Sequence, residues 1–155
     1  AVTTVDGVPF AMDFDRAGRL LLVNAAGTLS SWTVGADGTL TTVAAPVPDF
    51  GAAACWIATT GGYAYVANAG SGTLSGYAVG ADGSLALLAT GGVSATTGPG
   101  PIDVAASDGV LYVENGGDSS VSAFAVGADG SLTPVGTVTG LTAGGGTGIE
   151  GLAAS

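Results

Sequence analysis

Trp32 to Leu40 reads WTVGADGTL, Tyr77 to Leu85 reads YAVGADGSL, and Phe124 to Leu132 reads FAVGADGSL. The phrase recurs at intervals of 45 and 47 residues in a chain of 155. Each copy sets a β-rich run before and after Gly-Ala-Asp-Gly. Asp side chains hydrogen-bond the backbone two residues on, and Gly adopts positive φ without steric cost. The phrase therefore predicts a hairpin of about four residues ending on a left-handed Gly. Asp37, Asp82 and Asp129 are read as turn formers, since each stands with only one carboxylate.

Working outward from the hairpin gives the repeat. Unit one runs PFAMDF, DRAG, RLLLV, NAAG, TLSSWTV, GADG, TLTTVAA. Unit two has a strand near Ala54 to Thr59, the turn TTGG, then YAYVA, NAGSG, TLSGYAV, GADG, SLALLAT. Unit three runs PIDVAAS, DG, VLYVE, NGGDS, SVSAFAV, GADG, SLTPVGTV. Gly interrupts every apolar run and no long stretch has a helical period, so each unit reads as four short antiparallel strands. Four strands in about 45 residues is the signature of a propeller blade. The units fall at about 8–46, 53–90 and 100–138. The ends, 1–6 (AVTTV) and 148–154 (GIEGLAA), match the fourth and first strands of incomplete blades. The fold class expected is all-β, a single partial propeller of about three and a half four-stranded antiparallel blades over residues 1–155.

Composition narrows the partners. There is no His and no Lys, the only Arg residues are Arg16 and Arg19, and twelve carboxylates leave a net charge of -10. Nucleic acid and anionic membrane surfaces are excluded, because both need a basic footprint. No run of about 18 apolar residues is present to span a bilayer. The start AVTTVDG lacks the n- and h-regions of a signal peptide and fits a mature terminus after cleavage. A soluble chain, secreted rather than cytoplasmic, is the expectation. Cys55, the one cysteine, can form no intrachain disulfide and reads as a small buried hydrophobe within AAACWIA. Without His, Ser-His-Asp and Cys-His catalysis and a typical zinc site are all excluded. GLTAGGGTGIEG is read as a loop between blades; no Lys or helix signal follows to make it a phosphate loop.

The carboxylates of the inner strands remain. Asp13, Asp103 and Glu150 lie in the first strands of successive units and are the catalytic candidates. Aligning PIDVAA with GIEGLAA makes Asp103 and Glu150 equivalent; unit two has Trp56 there, and unit one has Ala11, so Asp13 fits less well. Converging carboxylates could hold Ca²⁺ or Mg²⁺ or share a proton. A wet channel mouth that tolerates carboxylates is the simpler account of them, and no cofactor is expected beyond that divalent option. Phe50 and Trp56 are candidates for ligand stacking, against the alternative of packing between blades. Asn68 and Asn115 are read as Asx turns.

The stretches YAYVANAGSGTLSGYAVGADGSL and VLYVENGGDSSVSAFAVGADGSLTPVG resemble the lactonase family of seven-bladed propellers, the group of 6-phosphogluconolactonases and carboxymuconate cyclases. The resemblance covers essentially the whole chain and is to the C-terminal half, ending near GLAA. It implies a hydrolase of sugar-acid lactones or a muconate-type cycloisomerase. Family proposals place Arg, His and Glu at the channel. Here His is absent and both Arg lie in the DRAGR turn, so no family catalytic residue carries over except a carboxylate. The expectation is a parent lactonase activity with this chain alone short of a full catalytic set; the alternative is a non-catalytic ligand-binding or assembly scaffold. Open blade faces are apolar and need covering, which predicts a second copy or a complementary propeller half as partner.

Overall fold

The computed structural model describes residues 2–141 and 151–154. Thirteen strands are present among them: β1 (Pro9–Phe14), β2 (Leu20–Asn24), β3 (Thr28–Val34), β4 (Leu40–Pro48), β5 (Ala54–Thr60), β6 (Tyr63–Asn68), β7 (Thr73–Val79), β8 (Leu85–Leu87), β9 (Ala95–Thr96), β10 (Pro101–Ser107), β11 (Val110–Asn115), β12 (Ser120–Val126) and β13 (Leu132–Val138). They form three antiparallel sheets, β1-β2-β3-β4, β5-β6-β7-β8 with β9 also on β7, and β10-β11-β12-β13. The described residues contain no helix. The fold is a partial propeller of three successive blades.

The hairpins form as the phrase predicts. Gly35, Gly80 and Gly127 donate to the carbonyls of Thr39, Ser84 and Ser131 at 2.7, 2.8 and 2.8 Å. Gly38, Gly83 and Gly130 are left-handed, with φ of 80°, 88° and 80°. The Asp37, Asp82 and Asp129 carboxylates each accept the backbone N–H two residues on, at 3.1, 3.0 and 3.0 Å. The neighbouring Thr or Ser hydroxyl, with that N–H, holds each carboxyl below its usual pKa.

The core lies between blades. Side chains alternate along a strand, so β6 buries both its faces. Ala64 and Val66 meet Leu21, Val23 and Leu29 of the first blade, together with Ile57 and Tyr77. Tyr65 and Ala67 meet Leu111, Val113 and Phe124 of the third. This two-sided burial explains the unbroken apolar run YAYVA.

A second contact repeats between blades. Arg19, beside β2, donates from its guanidinium to the carbonyls of Ala81 and Gly80 at 2.9 and 3.0 Å, in the β7–β8 hairpin of the next blade. From β6, the Tyr63 and Tyr65 hydroxyls donate to Ala128 and Gly130 at 2.8 and 2.9 Å, in the β12–β13 hairpin. The first and second blades thus each grip the Gly-Ala-Asp-Gly hairpin of the next blade.

Two expectations change. The end segments form no ladder among the described residues. Residues 2–5 approach β4 through a bond from the Leu40 N–H to Thr3 Oγ1, and 151–154 approach β10. The fourth strand of the second blade is also interrupted: β8 ends at Leu87 and β9 rejoins β7 at Ala95. Gly91 and Gly92, with φ of 81° and 84°, turn the chain out and back. The expected fourth strand SLALLAT thus stops short, and Ala95–Thr96 beyond it completes the pairing with β7.

Candidate functional site

The innermost strands share an irregularity. Register shifts between Pro9 and Ala11, between Ala54 and Trp56, and between Pro101 and Asp103 leave Phe10, Cys55 and Ile102 as bulged residues. Bulges re-aim side chains and recur beside functional sites. Here all three bulged residues, with Trp56, Asp103 and Gly151, line one cleft of about 510 Å³.

One wall of the cleft is aromatic. Trp56 and Phe10 are 40% and 51% exposed, and their rings meet edge-on with centroids 6.0 Å apart at 70°. Cys55 is half-buried rather than buried, because the bulge turns it to the cleft. Its thiol donates to the Ala53 carbonyl at 3.2 Å, and burial raises its pKa, so it stays a protonated thiol rather than a nucleophilic thiolate.

The register confirms the equivalence of Ala11, Trp56 and Asp103, which lie opposite Val23, Ala67 and Glu114. Asp103 is buried. Its Oδ1 accepts the Val104 N–H at 2.7 Å and its Oδ2 accepts the Leu152 N–H at 2.6 Å, tying β10 to the following segment. Asp13 does the same one interface earlier: Oδ1 accepts the Phe14 N–H at 2.8 Å, and Oδ2 accepts the Thr59 N–H and hydroxyl at 2.8 and 2.9 Å. Asp13 staples one inner strand to the next, and Asp103 ties its strand to the 151–154 segment. Asp13 does not line the cleft, and Glu150 lies outside the described residues. Phe50 is 68% exposed on the loop after β4, with φ of 61°, and is not a cleft residue. Among the described residues no three His, Cys, Asp or Glu side chains come together to hold a metal.

The asparagines that end the second strands divide. Asn24 makes an Asx turn, its Oδ1 accepting the Ala26 N–H at 3.0 Å. Asn68 and Asn115 instead reach across to β7 and β12, donating from Nδ2 to Ser75 at 2.8 Å and to Ser120 and Ser122 at 3.0 and 2.9 Å. Gly51 and Gly98 press on these two side chains with no room for a Cβ.

The arginines sit at the far end of the inner strands. Arg19 is held by Asp15 at 2.8 Å and by the neighbouring hairpin. Arg16 lines a smaller cleft of about 200 Å³ with Phe14, Thr59, Thr60 and Tyr63. Sequence reasoning placed Trp56 and Asp103 but missed Phe10, Cys55 and Ile102. A one-residue bulge has no compositional mark when its residues are as different as Phe, Cys and Ile.

No protein-family model matches the chain, and no curated protein matches it. Solved structures do match. A functionally unknown protein from Desulfotomaculum acetoxidans superposes with a TM-score of 0.75 at 20% identity, over 88% of this chain and 44% of that one. The periplasmic gluconolactonase of Pseudomonas aeruginosa gives 0.67 at 18%, over 88% and 43%. A proposed 6-phosphogluconolactonase from Bacteroides uniformis gives 0.51 at 22%, over 86% and 57%. The chain spans less than half the length of the first two. At such identities the likeness establishes the fold, that of the lactonase-like propellers.

Proposed function

We propose that the chain is part of a lactonase-like propeller whose complete ring opens a sugar-acid lactone, and that the inner-strand cleft is its share of the substrate channel. The observation that carries this is the convergence of three bulged inner strands on one cleft with an exposed indole beside a carboxylate. The shared fold with a gluconolactonase supports the choice of reaction.

In lactone hydrolysis water adds to the ring carbonyl, the ring C–O bond breaks, and the hydroxyl and acid are released. This chain has no His to activate that water, and the Cys55 thiol is protonated. Asp13 and Asp103 are committed to backbone N–H groups of adjoining segments. The base and the carbonyl-polarising group therefore come from a complementary half of the ring, since a second copy would repeat this chain's composition. This chain supplies the aromatic wall. The same commitment of both carboxylates favours a second reading, a ligand-binding scaffold without turnover.

Native mass, with the denatured mass beside it, is the first test. The expected particle is larger than the 14.5 kDa chain. A monomer at all concentrations would overturn ring closure. Acid release from glucono-1,5-lactone at constant pH then separates the readings: an assembled ring that binds the lactone and releases no acid leaves only the scaffold.

A further inference from the structure

The cleft also speaks to the charge of its ligand. Its lining is two exposed aromatics, an aliphatic, a thiol, a glycine and one carboxylate. None of these is a cation. Nor can the rest of the chain lend one, since it has no Lys or His and its net charge is -10. Arg19 is engaged by Asp15 and two carbonyls. Arg16 follows the end of β1, whereas Phe10 is at its start. The four strand steps from Phe10 to Phe14 alone span about 13 Å, and Arg16 lies beyond them in the turn. That exceeds the screening length of about 8 Å at physiological salt. A phosphate brought to the cleft would meet the Asp103 carboxylate and a negative overall field with no basic group to receive it.

What the cleft does offer is an indole face and residual acceptor capacity. A sugar-like ring carries apolar C–H faces and hydroxyls on its edge. Its face suits an aromatic platform, and an ionised carboxylate has about four lone-pair sites, of which Asp103 has filled two with N–H donors. We infer that the cleft takes a neutral polyhydroxylated ring, stacked on Trp56 with hydroxyls toward Asp103, and rejects phosphorylated counterparts. This rests on the cleft being the ligand channel proposed above.

The test titrates the chain with glucono-1,5-lactone and with its 6-phosphate, freshly dissolved. A Trp32→Phe background leaves Trp56 as the only indole reporting by fluorescence. The neutral lactone should bind at least tenfold more tightly at low ionic strength, and the gap should narrow as salt is added. By calorimetry, Trp56→Ala should weaken the neutral lactone at least tenfold, and Asp103→Asn should strengthen the phosphate ester. Equal or tighter binding of the phosphate ester, indifference to Trp56→Ala, or no binding of either ligand would each overturn the inference. Acid release is scored separately. Selective binding without turnover sustains the inference and removes the hydrolytic reading. Equal turnover of both lactones does the reverse.

Discussion

Tyr65 and Tyr112 occupy the same place in successive blades. Each lies three residues before the asparagine that ends its strand, opposite an alanine of the inner strand. Tyr65 is fully buried, its hydroxyl on the Gly130 carbonyl at 2.9 Å. Burial, with Tyr63 and Asp129 nearby, raises its pKa to about 12. Tyr112 is half-buried, and among the described residues its hydroxyl meets no hairpin carbonyl. The second and third blades carry the same tyrosine, and among the described residues only that of the second meets a hairpin. The hairpins show the complement. Those of the second and third blades are gripped, and their Gly83 and Gly130 are buried, whereas Gly38 in the first blade is exposed.

The largest expected effect tests this contrast directly. Tyr65→Ala removes a fully buried ring and should destabilise the chain by about 4 kcal/mol. Tyr112→Ala should cost less than about 1 kcal/mol in the isolated chain. Urea unfolding measures both. Comparable losses would show that the Tyr112 face is covered in solution, and the comparison would become one between two closed interfaces.

Glycine substitutions probe the acceptor side. A Cβ at Gly130 would lie 2.7 Å from the Tyr63 ring and 2.8 Å from Leu88, while one at Gly38 meets nothing within 4 Å. Both positions are left-handed, so Ala costs about 1 kcal/mol of backbone strain at each. Overpacking adds about 2 kcal/mol at Gly130 alone. Gly130→Ala should therefore lower stability by about 3 kcal/mol and Gly38→Ala by about 1 kcal/mol. Equal costs would mean the first hairpin is also gripped, by a partner.

The first grip is polar. Arg19→Met keeps the stem but loses the Asp15 ion pair and two carbonyl bonds, and should cost about 2 kcal/mol at neutral pH. Burial works to raise the Asp15 pKa, but the Arg19 and Ala17 N–H groups and the Arg19 guanidinium outweigh it, leaving it below 3.8. That part of the stability is present above the unfolded carboxylate value and is lost as pH falls through the folded one. The gap between wild type and Arg19→Met should shrink in acid, read by thermal melts from pH 7 downward.

Blade number and hairpin position were legible because Gly-Ala-Asp-Gly enforces its own turn within a few residues. That Trp56 and Asp103 share one cleft was legible for a related reason: the repeat puts first-strand residues side by side. The grip was not. Arg19 and Tyr63 fill one structural role with different chemistry, and their acceptors are backbone carbonyls about 60 residues away that carry no side-chain signature. Asp13 and Asp103 were legible as inner-strand carboxylates, but not as staples, since a backbone N–H partner is equally invisible in a sequence.

Asp49 sharpens the comparison from the closed side. It lies at the junction of the first two blades, 1% exposed, with Oδ1 accepting the Gly51 N–H at 2.8 Å and Oδ2 without a hydrogen-bond partner. Burial raises its pKa above 3.8 and outweighs the Gly51 and Asp49 N–H groups that act against it. A carboxyl whose folded pKa is raised favours the fold while protonated; that contribution is complete below the unfolded value and is lost as pH rises through the folded one. Asp49→Asn keeps the shape and removes the charge, so it should stabilise the chain by about 1 kcal/mol at pH 7. The gain should vanish below about pH 4, where Asp49 is protonated in both states. Thermal melts at pH 7 and pH 3.5 measure it. A gain independent of pH would mean the buried charge is not what Asn removes, and a loss at pH 7 would mean that Oδ2 is satisfied in solution and the junction is as well matched as the Tyr65 grip.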